Sequence, residues 1–280
     1  MTMTPRQSIY DIIDQYDAIW FDAWGVLCDG RHTMPGAAQL LAHLDERRVP
    51  WRILTNDASS TLAQSTARFI QMGFPITAAQ IISAGSVLTH YFDQADLRGA
   101  RSVVLGPEGS VACAQEAGAT LVPRHEDFDV LLVMDEGGFP FLEGINQVLT
   151  SLFRALDAGR TPHLLLPNPD VIYPAGGGTF ALTAGGIAAF FEAALLARYG
   201  TPMPFTRLGK PFPPMFEAAA QQTRGERILM VGDQIPTDIR GANGFGVDSA
   251  LLLGGVSHKL APESLPPQDR PTWIISSLQR

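Results

Sequence analysis

Seven short apolar runs recur along this chain, at residues 18–21, 51–55, 102–105, 130–133, 163–166, 228–231 and 250–253. Most are apolar at successive positions rather than at alternate ones, the pattern of strands covered on both faces of a parallel sheet. Between them lie stretches with apolar residues at helical spacing, at 35–47, 60–72, 78–92, 109–117, 142–158, 186–199, 213–223 and 237–243, several of which open on Pro, Ser or Thr. Strand and helix in alternation from end to end predict βαβ units, and so an α/β fold built on a Rossmann-like, doubly wound parallel sheet.

The residues with chemical potential cluster near the two ends, which predicts that both termini build one core, 1–77 and 206–280, with the middle, 78–205, inserted as a second α/β domain. The segments Ile76-Thr77-Ala78 and Thr201-Pro202-Met203-Pro204 are the expected hinges. A length of 280 residues, 46% hydrophobic and 17% charged, accommodates two such domains. With a net charge of −8 and no long Lys/Arg stripe, nucleic acid is not expected as a partner. Cys28 and Cys113 are too few for a disulfide framework or a zinc cluster and read as reduced thiols. The first residues lack a signal-peptide core and no run of about 20 apolar residues could span a bilayer, so the expected setting is cytoplasmic, away from membranes. The Pro-rich stretch 262–271 reads as surface loop, and Gly176-Gly177-Gly178 as a hinge or substrate loop.

Four segments carry the chemistry. The run Ile19-Trp20-Phe21 ends on Asp22, a carboxylate delivered to the edge of a sheet where open α/β folds bind their ligands. Ile53-Leu54 ends on Thr55 and Asn56, a hydroxyl and an amide suited to a phosphate. Lys210 stands between Gly209 and Pro211, ahead of a helical stretch, as a point charge. Ile228-Leu229-Met230-Val231 breaks at Gly232 to present Asp233, with Asp238 five residues on. Taken singly, each acid is a helix cap or turn former, and the lysine a solvated charge. Taken as an ordered set at strand ends and helix starts, they supply a carboxylate nucleophile, a hard oxygen site for Mg²⁺ and a cation for phosphate.

The set Asp22-Ala23-Trp24-Gly25-Val26, Thr55-Asn56-Asp57, Lys210 and Gly232-Asp233 with Asp238 resembles the four ordered motifs of the haloacid dehalogenase (HAD) superfamily. The long insert, with Pro35-Gly36-Ala37 and Asn168-Pro169-Asp170, is similar to the class IIA, C2-capped phosphatase branch. The resemblance implies a Mg²⁺-dependent hydrolase of a small phosphomonoester, sugar phosphate or nucleotide-like, acting through an aspartyl-phosphate. Asp22 would be nucleophile and metal ligand, the Trp24 carbonyl and Asp233 further ligands, and Asp238 would orient metal-bound water or Lys210. Thr55, Asn56 and Lys210 would hold the phosphate.

The departure is Trp24, where most phosphatases of the superfamily place an Asp as general acid and base. Loss of such a group typically removes about 10²–10⁴ in rate. Good leaving groups or another donor, with Asp29, His32 and Asp57 nearest in sequence, would restore turnover. The alternatives are a nearly inactive binder or sensor of phosphorylated metabolites and, third, a metal-independent dehalogenase, which shares an aromatic residue there. The helix around Phe190-Phe191 reads as core or as the face of a homodimer, and segments 168–179 and 135–140 as substrate contacts.

Overall fold

The computed structural model describes residues 6–29, 32–176, 179–254 and 265–280. Gly177 and Gly178 of the expected glycine loop and 262–264 of the Pro-rich loop lie outside these residues. The strands run β1 Ala18–Asp22, β2 Trp51–Thr55, β3 Ile81–Ser83, β4 Arg101–Leu105, β5 Thr120–Leu121, β6 Val130–Val133, β7 His163–Leu166, β8 Ile172–Gly176, β9 Thr179–Leu182, β10 Thr206–Arg207, β11 Ile228–Gly232, β12 Asp248–Leu252 and β13 Trp273–Ile275. The helices are α1 Ile9–Ile12, α2 Ala37–Glu46, α3 Leu62–Gln71, α4 Ala84–Gln94, α5 Glu108–Glu116, α6 Phe141–Asp157, α7 Ala184–Tyr199, α8 Pro213–Gln221 and α9 Arg240–Phe245.

All seven apolar runs are strands, their ends moved by at most two residues. The expected helix 78–92 divides. Thr77 and Gln80 close a reciprocal capping box around one tight turn, and the β-branched pair Ile81-Ile82 then runs extended and buried in β3. Ser83 caps α4 by accepting from the Ser86 backbone N–H, which starts a new helix there. The expected helix 237–243 likewise starts as a wide π turn, Ile235–Ile239, and becomes α-helical only at Arg240.

The contacts group the chain into two compact units. The first comprises the described parts of 1–55, 65–82 and 210–280, the second 56–64 and 83–209. In the first, a six-stranded sheet has the order β13-β12-β11-β1-β2-β3, and β1 pairs in parallel with β11 on one side and β2 on the other. Sequence order therefore runs outward in both directions from the β11-β1-β2 centre. Such a reversal opens a crevice at the carboxyl ends of the central strands.

The second unit holds a five-stranded parallel sheet in the order β10-β7-β6-β4-β5 and an antiparallel hairpin, β8-β9. Its core packs Val103, Leu131 and Val133 of the sheet against Val148 and Leu152 of α6 and Ile187, Phe191 and Leu195 of α7. Of the pair expected in core or interface, Phe191 is buried and Phe190 is exposed. Among the described residues no helix is long and apolar enough to cross a membrane.

Candidate active site

Backbone register assembles the site. Phe21 pairs with Val231 and Asp22 with Leu54, so the parallel strands β11, β1 and β2 finish nearly level. Their ends deliver Asp233, Asp22 and Thr55, all buried. Asp238 enters from the π turn after β11, and Lys210 lies ahead of α8; both are buried as well.

Lys210 Nζ donates to Asp22 Oδ1 at 2.6 Å and to Asp238 Oδ1 at 2.8 Å. Asp22 Oδ1 also accepts from the Ala23 backbone N–H at 2.7 Å, and Asp238 Oδ2 from the Gln234 N–H at 3.1 Å. Two donors on one oxygen fix the plane of the Asp22 carboxylate. Two glycines make the arrangement possible. Gly25 has φ +86°, and a Cβ there would stand 2.4 Å from Asp233 Oδ2. At Gly232 a Cβ would come within 2.2 Å of Asp238 Cβ.

Burial pushes the Asp22 carboxyl well above the usual carboxylate range; Lys210 opposes this, while Asp238 and Asp233 add to it. For Lys210 burial alone would favour the neutral amine, but Asp22 and Asp238 outweigh it and hold the ammonium above its ordinary pKa. The short ion pair and the raised Asp22 pKa are compatible, because one ammonium cannot compensate three buried acids.

A divalent cation fits this donor set. Asp22, Asp233 and Asp238 each offer a carboxylate oxygen, and the three lie within 4.8 Å of one another. Ionised, they exceed Lys210 by two negative charges, the charge of one divalent ion. Hard oxygen donors without thiolate or imidazole suit Mg²⁺ or Ca²⁺ rather than zinc.

The other predicted residues distribute as follows. Thr55 stands at the β2 end next to Leu54, the partner of Asp22. Asn56 belongs to the second unit, where its Nδ2 donates to Asp170 Oδ1 at 3.1 Å; the Asp170 N–H in turn donates to Asn168 Oδ1. Trp24 lies two residues past Asp22, and the Arg68 guanidinium of α3 sits 5.0 Å from the centre of its ring, a cation–π pair. Asp29 and His32 pair with each other on an exposed loop. Asp57 Oδ1 accepts from the N–H and Oγ of Ser59, forming a local turn. Sequence reading passed over Ala23, Arg68 and the link between Asn56 and Asp170. Gly25 stands in the sequence only as a member of the Asp22–Val26 motif, without a sign of its contact with Asp233, and nothing local marks Arg68.

Residues 19–120 match the family model described as haloacid dehalogenase-like hydrolase, and residues 207–280 a second one described as HAD-hydrolase-like. A possible sugar phosphatase of the HAD superfamily from Cytophaga hutchinsonii superposes with a TM-score of 0.83 at 30% identity, covering 100% of this chain and 99% of that one. The glycerol phosphate phosphatase of Mycobacterium tuberculosis, solved with magnesium, gives 0.79 at 25% identity over 95% of this chain and 77% of its own. In sequence, ribonucleotide monophosphatase NagD of Escherichia coli is 26% identical across 92% of this chain and 94% of the relative.

Proposed function

The chain belongs to the haloacid dehalogenase superfamily of hydrolases, and from that premise we propose that it is a Mg²⁺-dependent phosphatase of a small phosphomonoester, working through an aspartyl-phosphate on Asp22. The observation that carries this reading is the buried quartet of Asp22, Asp233, Asp238 and Lys210 at the reversal point of the sheet. With Oδ1 held by Lys210 and Ala23, Oδ2 of Asp22 is the oxygen left to attack phosphorus. Lys210 neutralises charge on the phosphoryl oxygens and keeps Asp22 in place. Thr55, at the end of β2 beside the partner of Asp22, would donate a hydrogen bond to the same oxygens.

Asp22, Asp233 and the Trp24 carbonyl would hold Mg²⁺, with Asp238 orienting its water or Lys210. Bound there, the ion would offset the surplus carboxylate charge and polarise the phosphoryl group. The relatives named for glycerol 3-phosphate, dihydroxyacetone phosphate and ribonucleotide phosphatase activity support a small phosphorylated metabolite.

Incubating the protein with Mg²⁺ and a panel of phosphate esters is expected to release inorganic phosphate, and Asp22→Asn to abolish that release. Binding of several esters with turnover of none would favour the second reading, a sensor of phosphorylated metabolites, for which Trp24 is the supporting observation. Three clustered carboxylates speak against the metal-free dehalogenase.

A further inference from the structure

If Asp22 takes up the phosphoryl group, the bond to the leaving oxygen breaks and that oxygen keeps the electron pair. An alkoxide leaves poorly unless a proton reaches it, which is what a positioned acid supplies. Trp24 cannot titrate. Its ring instead supports the Arg68 guanidinium at 5.0 Å, so the position two residues past the nucleophile carries a permanent cation on an aromatic platform. Of the buried carboxylates, Asp22 Oδ1 accepts from Lys210 and Ala23 and Asp238 from Lys210 and Gln234, and Asp233 belongs to the same three-carboxylate cluster. Asp29 and His32 are engaged with each other, and Asp57 with Ser59.

We propose that the substrate of this site is a phosphoryl group carried on an acidic leaving group, such as an acyl, enol or aryl phosphate, which departs as an anion without protonation. The inference rests on the phosphatase reading and shifts its substrate class from alkyl phosphomonoesters to activated phosphoryl donors, mixed anhydrides included. In the first step the Asp22 oxygen bonds to phosphorus and the carboxylate, enolate or phenolate leaves with its electron pair. In the second, a water oxygen bonds to phosphorus and Asp22 is released as carboxylate. The water's two protons remain on the product, dihydrogen phosphate, so neither step requires a protein acid. The Arg68 guanidinium stacked on the Trp24 ring has no proton to give at neutral pH.

The test is the dependence of kcat/KM on leaving-group acidity, since kcat/KM reports the first phosphoryl transfer. The series comprises substituted phenyl phosphates, acetyl phosphate, phosphoenolpyruvate and glycerol 3-phosphate, all with saturating Mg²⁺. The expected result is a steep dependence, with p-nitrophenyl and acetyl phosphate exceeding glycerol 3-phosphate by about 10²-fold or more. Trp24→Asp is expected to flatten it by raising the alkyl ester about 10²-fold, while Trp24→Phe keeps it steep. Should Trp24→Asp not fold, the wild-type and Trp24→Phe slopes decide. Hydrolysis of glycerol 3-phosphate within about 10-fold of the aryl esters overturns the inference and leaves the phosphatase reading standing. Release of phosphate from no member of the series overturns the phosphatase reading and this inference with it.

Discussion

Replacing Lys210 with Met tests whether the buried quartet is an electrostatic unit. Its Nζ bridges Asp22 at 2.6 Å and Asp238 at 2.8 Å, and all three side chains are at most 7% exposed. At such separations one charge pair is worth about 6 kcal/mol at an effective dielectric of 20, against a desolvation cost of several kcal/mol per ion. Removing the lysine leaves the desolvation of the acids uncompensated, so the expected loss is about 3–5 kcal/mol. With EDTA present this appears as a fall in the urea midpoint of about 1–2 M. Tryptophan fluorescence is the right probe, because Trp20, Trp24, Trp51 and Trp273, all the tryptophans of the chain, belong to the first compact unit. Mg²⁺ should stabilise Lys210→Met more than the wild type, since it then supplies the positive charge the variant lacks. A loss below about 1 kcal/mol, the range of exposed pairs, or an equal Mg²⁺ effect on both proteins would refute the reasoning.

Asp22→Asn should eliminate phosphate release yet raise stability in EDTA at neutral pH. The sign follows from the raised Asp22 pKa: the native state keeps a proton that the unfolded chain gives up near pH 4, so wild-type stability falls as pH rises from there through the folded value. The gain over wild type should therefore vanish below about pH 4, as urea titrations across pH would show. Gly25→Ala forces a left-handed alanine at φ +86° with its Cβ 2.4 Å from Asp233 Oδ2. It should cost about 1–2 kcal/mol and, by displacing that carboxylate, weaken Mg²⁺ affinity by about tenfold in calorimetric titration, the equivalent of 1.4 kcal/mol. Cys28 and Cys113 are both buried, and burial with Glu116 and Asp57 nearby pushes the Cys113 thiol up to about 12. A thiol reagent at pH 8 should leave Cys113 unlabelled until the protein is unfolded, as peptide mass mapping would reveal.

Much of the fold was legible because fully buried strands write themselves as continuous apolar runs, and each of the seven runs is a strand. Strands without that signature escaped notice. β5 and β10 have two residues each, and β9 lies partly or wholly exposed, so neither length nor burial leaves a pattern. The split of 78–92 was hidden because Ile81 and Ile82 satisfy helical spacing and strand preference alike; edge pairing in the sheet and the Ser83 cap decided between them.

For the site, the sequence alone determined which groups stand at strand ends: Asp22, Thr55 and Asp233 follow apolar runs, and a strand's last residue points its chemistry at the sheet edge. It also determined that position 24 cannot donate a carboxyl proton. Proximity was decided by the tertiary structure, because Asp22 and Lys210 are 188 residues apart and meet only where β11, β1 and β2 lie side by side. The same holds for Arg68 on the Trp24 ring and for Asn56 donating to Asp170. Local pattern encodes burial and backbone preference, whereas which strand ends become neighbours depends on how whole sheets bury their apolar faces together, a choice no single segment carries.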